Sequence, residues 1–412
     1  MNTPLPLAGG AGGGPVSSAV PFENRPPPQP SPAEAGEGAS IALYVHWPFC
    51  VSKCPYCDFN SHVRAEVDQD KWRAALLADL AHEARLLPGR RLTSIFFGGG
   101  TPSLMEPATV AALIEAARQY WPAADDIEIT LEANPNSVEA ARFADLAAAG
   151  VNRLSLGLQS FDNEALRFLG RAHSTNEGLA ALDIAQKRFP RVSFDLIYAL
   201  PGDNEARWSA ALERALSLGT THLSLYQLTI EPGTRFAAMA AAGTLEPLDA
   251  EAAAMLYELT DAVTSAAGLP AYEISNHAAV GAESRHNLTY WRYGDYAGVG
   301  PGAHGRRLGA RTVRHRKPEN FLSALDRNGQ AIVEEAPLAP SEAADEALVM
   351  GLRLSDGIDA AALQKRFGVP VVDWGCVDRL VESGHLDRSD GKIAVTPAGR
   401  LVLDRILAEV AA

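Results

Sequence analysis

Three cysteines, Cys50, Cys54 and Cys57, fall within eight residues, and the only other cysteine of the 412 residues is Cys376. Thiolates at this spacing on one loop can fold around one face of an iron–sulfur cube. A [4Fe-4S] cluster is normally held by four thiolates, so three leave one iron open to an exchangeable ligand. A zinc loop of the finger type would need a second Cys/His pair downstream, and no second cysteine pair exists. Four cysteines in so long a chain build no disulfide framework and suit a reducing compartment. Cys376 stands alone and reads as a small buried hydrophobe.

Other strings carry weaker chemistry. Gly98-Gly99-Gly100-Thr101-Pro102 lets backbone groups approach a ligand closely, yet it also suffices as a tight turn ahead of a helix. Glu132, Gln159, Arg171 and Asp195 lie in or after β-rich runs; arginine suits a carboxylate, and acids suit hydroxyls or an ammonium. His286-Asn287-Leu288-Thr289-Tyr290-Trp291 joins an imidazole, a common axial ligand of heme iron, to two rings able to form a flat wall with polar edges. On a helix, Tyr290 lies one turn from His286 on the same face. A core histidine with two aromatics at a domain junction fits the same string. Arg306, Arg307, Arg311, Arg314, Arg316 and Lys317 cluster with no acid among them. They suit either a solvated loop or a docking surface for anions such as heme propionates or an acidic partner.

The frame for these residues shows in the alternation of short β-rich runs with amphipathic helical stretches. Strands are expected at Ile41–His46, Leu92–Phe97, Ile127–Ala133, Asn152–Gly157, Val192–Ala199 and His222–Leu228. Between them run Ala-, Leu- and Glu-rich helices such as Lys71–Leu87 and Arg207–Leu218. This pattern gives a parallel sheet with right-handed crossovers, as an open doubly wound sheet or a barrel. Sites then lie at the strands' C-terminal ends. Residues 231–340 are more irregular, with a helix near Ala250–Ala267, a short strand near Tyr272 and a Gly-rich stretch from Gly294 to Gly305. Residues 341–412 read as three helices and a β-wing, a small winged-helix-like unit. It carries eight basic against twelve acidic residues and so lacks the cationic face that DNA contact requires. A structural or protein-docking role is expected.

A formal net charge of −14 disfavours general nucleic-acid binding. No apolar run is long enough for a membrane span. Residues 1–40 hold sixteen Pro or Gly and are expected to form a disordered tail. They carry neither the apolar core of an export signal nor the arginines of a transit peptide, which leaves a cytoplasmic location as the expectation.

The cysteine loop in its setting Tyr44-Val45-His46-Trp47-Pro48-Phe49-Cys50 resembles the radical S-adenosylmethionine (SAM) superfamily, whose open iron is chelated by the amino and carboxylate groups of SAM. The resemblance implies an α/β fold with a partial (β/α)6 radical-SAM barrel over 41–230. An irregular α+β extension (231–340) and the C-terminal winged-helix-like domain (341–412) follow. It further implies SAM contacts from Tyr44, Tyr56, Gly99, Gly100, Thr101, Glu132, Gln159, Arg171 and Asp195. From about Ile41 onward the chain is similar to oxygen-independent coproporphyrinogen III oxidase and to HemW-type heme chaperones. The oxidase has an additional cysteine two residues beyond the third, where Phe59 stands here. The HemW-type branch shares Cys54-Pro55-Tyr56-Cys57-Asp58-Phe59-Asn60-Ser61 and a His-Asn-x-x-Tyr-Trp signature, which makes His286, Asn287, Tyr290 and Trp291 the implied heme residues. The implied function is a chaperone that binds a [4Fe-4S] cluster, SAM and heme and delivers heme to acceptor apoproteins, some at the respiratory membrane. A dimer is compatible with it. The alternative is decarboxylation of coproporphyrinogen III by a 5′-deoxyadenosyl radical, against which Phe59 and the His286 string argue. A DNA-binding regulator is opposed by the acidity.

Overall fold

The computed structural model describes residues 39–389 and 391–412; the expected Pro/Gly tail lies outside them except for Ala39 and Ser40. Ser40 already belongs to the first strand.

Period-two alternation builds the barrel. In β1 (Ser40–Trp47), Ile41, Leu43, Val45 and Trp47 are buried in the main apolar core, while Tyr44 and His46 point to the opposite face. The pattern repeats in β2 (Arg91–Gly99), β3 (Ala123–Ala133), β4 (Arg153–Gln159), β5 (Arg191–Tyr198) and β6 (His222–Gln227). These six strands pair in parallel in chain order. Helices such as Gln69–Leu86, Pro107–Tyr120, Thr175–Arg188 and Glu205–Ser217 return the chain between strands. The outer face is hydrocarbon. The inner face carries Tyr44, Glu128, Glu132, Arg153, Asp195 and Ser224 and makes a polar lumen.

The α+β extension over 231–340 lengthens the same sheet at both edges. β7 (Asn276–Ala278) adds antiparallel to β6, and β8 (Tyr296–Val299) adds parallel to β1. β9 (His304–Arg307), β10 (Ala310–Arg314) and β11 (Ile332–Pro337) follow antiparallel. The eleven strands stand in the order β11-β10-β9-β8-β1-β2-β3-β4-β5-β6-β7. Glycine is required in β8, because a Cβ on Gly298 would stand 1.9 Å from the His304 carbonyl oxygen.

This placement overturns the docking-surface reading of the basic cluster. Helix Gln69–Leu86, capped by the Asp68 side chain on the Lys71 amide, buries Trp72, Leu76 and Leu80 together with two acids, Asp79 and Glu83. Arg314 is fully buried and binds Asp79 and Glu83, each at 2.7 Å. Arg307 binds Glu83 at 2.6 Å and Glu335 at 2.8 Å. Arg306 lies 3.6 Å over the Tyr293 ring and donates to the Gly294 carbonyl, and Arg311 pairs with Glu334. Among the described residues only Arg316 and Lys317 of the six keep an exposed charge with no acidic partner.

Residues 340–412 fold as a winged-helix unit. Helix Pro340–Gly351, β12 (Ile358–Asp359), helices Ala360–Phe367 and Trp374–Glu382, β13 (Leu386–Ser389) and β14 (Lys392–Val395) enclose a separate core of Leu348, Ile358, Val377, Ile393 and Ile406. The third helix starts at Trp374, because Asp373 caps it while Val371 and Val372 turn into the core. Cys376 sits in its first turn, half-buried, with Arg379 donating to its sulfur at 2.8 Å; it is not the buried hydrophobe expected. Among the described residues no helix is long and apolar enough to cross a membrane.

The Asp79–Glu83–Arg307–Arg314 cluster ties β9 and β10 to the first barrel helix. Removing one member leaves buried charge uncompensated, so Arg314→Met should destabilise the fold by about 3–5 kcal/mol in urea unfolding. Burial pushes the Glu83 carboxyl up, but Arg314 and Arg307 more than reverse this and hold it below the ordinary range. Its contribution is therefore complete above the ordinary glutamate value and is lost as pH falls through the depressed one. The acid limb of stability should flatten in Arg314→Met.

Candidate functional site

The cysteine loop hangs from two two-residue strands, Phe49–Cys50 and His62–Val63, at the C-terminal end of β1. Cys50, Cys54 and Cys57 are half-buried free thiols on this one loop. Each of two sulfurs has a donor aimed at it: Thr101 Oγ1 on Cys50 at 3.4 Å and Arg171 Nη1 on Cys54 at 3.6 Å. Burial pushes the Cys50 thiol up and that of Cys57 to about 11, so both stay protonated until a cationic centre takes them as thiolates. Hydrogen bonds to sulfur are what a cluster ligand requires of its surroundings. Tyr56, between the second and third cysteines, sets its ring 6.4 Å from that of Phe236, tilted by 44°. Phe59 is 58% exposed on the rim.

The glycine run brings the end of β2 against this loop. The Gly100 and Thr101 amides donate to the carbonyls of Trp47 and Phe49 at 2.7 and 2.8 Å. A Cβ on Gly99, whose φ is +112°, would strike the His46 ring at 2.6 Å. Its amide donates to Glu132 Oε2 at 3.2 Å. Glu132 ends β3 in the lumen; burial first, then the nearby Asp195, raise its pKa to about 8, against the Gly99 hydrogen bond. Asp195 is itself raised to about 6 by burial, despite hydrogen bonds from Ser224 and Ser155. Two neighbouring carboxyls, neither in an ion pair although Arg153 and Arg171 act on Asp195, form a receptor for hydroxyls or a cation.

Gln159, last in β4, adopts φ +65°, and its buried Oε1 has no partner. Arg171 donates from Nη2 to Asn134 Oδ1 at 2.6 Å and to the Gly157 carbonyl at 2.9 Å, while its buried Nε is also unpartnered. These orphaned atoms at a barrel mouth fit the polar groups of SAM, as the three thiols fit a cluster. The mouth thus gathers Cys50, Cys54, Cys57, Tyr56, Gly99, Gly100, Thr101, Glu132, Gln159, Arg171 and Asp195.

The aromatic string lies deeper. Helix Arg285–Trp291, capped by Ser284, packs inside β2. His286 is 5% exposed, with its ring stacked 4.9 Å from Phe96 and its Nδ1 3.2 Å from Ser94 Oγ. Burial lowers its pKa to about 4, which keeps it neutral. Tyr290 does lie one turn away, its ring centroid 6.2 Å from that of His286. Asn287 and Trp291 are half-buried on the same helix, and the Trp291 Nε1 lacks a partner. Tyr44 links the two levels: its hydroxyl meets His46 Nδ1 at 2.9 Å and its ring lies 6.2 Å from His286.

Residues to which the sequence assigned no role of their own brace the mouth. Asn134 joins Arg171 to Thr101 and is held by Glu139, a buried acid that also binds Ser103 and Asn136. His46 Nε2 meets the Asn60 carbonyl, and Asn60 donates to the carbonyls of Pro301 and Arg316. Arg171 and Thr101 lie more than thirty residues from Asn134, and Pro301 and Arg316 more than two hundred from Asn60; only the position of Asn134 two residues after Glu132 at a strand end could have marked it.

Residues 44–215 match the family described as "Radical SAM superfamily", and residues 338–402 match "HemN C-terminal domain". The chain is 44% identical over 392 residues to the bovine protein "Radical S-adenosyl methionine domain-containing protein 1, mitochondrial", covering 92% of this chain and 88% of that one. It is 42% identical over 304 residues to "Heme chaperone HemW" of Escherichia coli, covering 71% and 79%. Among solved structures, coproporphyrinogen III oxidase (HemN) from Escherichia coli superposes with a TM-score of 0.77 at 23% identity, covering 90% of each chain.

The raised carboxyl of Glu132 fixes a pH dependence of the cofactor-free chain. Folding takes up a proton between the ordinary glutamate value and about 8, so stability falls as pH rises through that window. Glu132→Gln should remove that part of the slope in urea unfolding from pH 5 to 8 and leave the acid limb alone.

Proposed function

The chain belongs to the radical SAM superfamily and, within it, to the family of HemW and the mitochondrial radical SAM domain-containing protein 1, and from this premise we propose that it is a heme chaperone. It binds a [4Fe-4S] cluster and SAM at the barrel mouth, holds heme, and delivers it to acceptor apoproteins in the cytoplasm or at a respiratory membrane. The observation that carries the reading is the convergence of Cys50, Cys54 and Cys57 with Thr101, Arg171, Glu132 and Asp195 around one opening. The cluster, when bound, supplies an open iron for the amino and carboxylate groups of SAM and an electron source beside it.

The chain's own groups have defined tasks. Cys50, Cys54 and Cys57 ligate, while Thr101 and Arg171 place N–H and O–H dipoles on two of the sulfurs. Glu132 and Asp195 give up their protons to face the ammonium, sulfonium or ribose of SAM, and Gln159 and Gly99 offer amide groups. Tyr44 and Tyr56 wall the opening. For heme, Ser94 orients His286 through Nδ1 and leaves Nε2 as the ligand nitrogen, the arrangement an axial imidazole needs. Asn287, Tyr290 and Trp291 flank it. Because His286 is buried, iron reaches Nε2 only when helix Arg285–Trp291 shifts outward. Phe59 at the position of the oxidase's additional cysteine favours carriage of heme over conversion of a porphyrinogen.

Cys50→Ala, Cys54→Ala and Cys57→Ala should each lose most iron and acid-labile sulfide after anaerobic reconstitution, whereas Cys376→Ala should retain both. Loss of the cluster in Cys376→Ala alone would show the ligand assignment to be wrong. In heme titrations His286→Ala should abolish or strongly shift the Soret band while keeping the cluster. An unchanged spectrum and affinity would remove His286 from the site, and the absence of stoichiometric heme binding in the unaltered chain would end the chaperone reading.

A further inference from the structure

Arg153 opens β4 on its lumen side and is 3% exposed. The other buried arginines have charged or aromatic partners: Arg314 and Arg307 pair with acids, and Arg306 lies over the Tyr293 ring and donates to a carbonyl. Among the described residues Arg153 has no acidic partner, and its one hydrogen bond runs from Nη2 to Ser193 Oγ at 3.2 Å. The acids near it are committed elsewhere. Glu128 is bound by Arg191 at 2.7 Å and by the His286 amide at 3.1 Å. Asp195 accepts from Ser155.

The surroundings of Arg153 are equally unspent. The parallel ladder sets Thr130 beside Arg153 and Phe96 beside Thr130, so Arg153 shares a layer with the ring that stacks on His286. Thr130 Oγ1 and His222 Nδ1 are buried without partners. The charge of Arg153 acts on Asp195, His222, Tyr272 and His286 and so stands among the residues that line the lumen at this depth, with Asp195 near it but not hydrogen-bonded to it. A buried guanidinium with no acid in hydrogen-bond contact has unused donors and an incompletely compensated charge. Its planar fork fits a carboxylate. The carboxylate is not that of SAM, because Arg153 and Gln159 stand at opposite ends of β4, about 20 Å of extended chain apart.

We propose that Arg153 is the carboxylate receptor of the barrel lumen and pairs with an acidic side arm of the bound ligand. Resting on the heme reading above, that arm is a propionate. The ligand then spans one layer of the barrel, with its metal toward His286 and its acid toward Arg153.

Two measurements on the full chain test this separately from the heme reading. The first is the melting temperature in sodium propionate against sodium chloride at equal ionic strength, for the unaltered chain, Arg153→Gln and Arg153→Lys. Propionate should raise it beyond chloride in the unaltered chain, less in Arg153→Lys, and not at all in Arg153→Gln. In chloride, Arg153→Gln should melt no lower than the unaltered chain, since the charge it loses has no partner. A propionate shift that is absent from the unaltered chain, or equal in Arg153→Gln, overturns the receptor. The second compares heme with its dimethyl ester: the unaltered chain should prefer the free acid by about tenfold, a preference Arg153→Gln should lose. An Arg153-dependent propionate shift in a chain that binds no heme would retain the receptor and discard the heme reading. A free-acid preference undiminished in Arg153→Gln would discard the receptor and retain heme.

Discussion

A parallel sheet covered by helices on its outer face has one place for polar side chains, the inner face, and this constraint organises the whole molecule. Alternation along β1–β6 sends Ile41, Leu43, Val45, Ile95, Phe97, Ile129 and Leu131 outward into hydrocarbon. The same alternation forces Tyr44, Glu132, Arg153 and Asp195 inward, where they face one another in a low-dielectric lumen. Groups so placed must find partners, shed charge or receive a ligand. Glu128 finds Arg191. Glu132 and Asp195 hold protons to about 8 and about 6.

The contrast between the two buried arginine settings separates scaffold from site. Arg307 and Arg314 have acids at 2.6–2.8 Å and anchor strands that lengthen the sheet. At the mouth, Arg171 touches a cysteine sulfur and an asparagine, keeps Nε free, and sits beside the unpartnered Gln159 carbonyl. Ion pairing marks the scaffold arginines, and a buried arginine held by neutral partners beside unpartnered polar atoms marks where binding is expected.

Much of this was legible in the residues. The six strands fall close to where alternation and spacing put them, because each has one face in hydrocarbon and the pattern is local. Cys50-x3-Cys54-x2-Cys57, Glu132 and Gln159 were readable because strand ends position them. The basic cluster was misread because its partners Asp79 and Glu83 lie more than two hundred residues away on another helix. A local run of charge carries no record of what it meets. The sheet-extending strands β8–β10 are short and contain Gly or Arg, so tertiary pairing rather than propensity made them strands. Cys376 looked apolar by type, yet its place in the first turn of an amphipathic helix left it beside Arg379.

The reading turns on whether the lumen carries a tetrapyrrole or transforms one. The most direct measurement is anaerobic incubation of the cluster-loaded chain with SAM and either heme or coproporphyrinogen III, followed by gel filtration and porphyrin analysis. Heme should be retained with the chain at one equivalent, and coproporphyrinogen III should be recovered unchanged. Multiple-turnover formation of protoporphyrinogen, with heme eluting free, would contradict the chaperone reading.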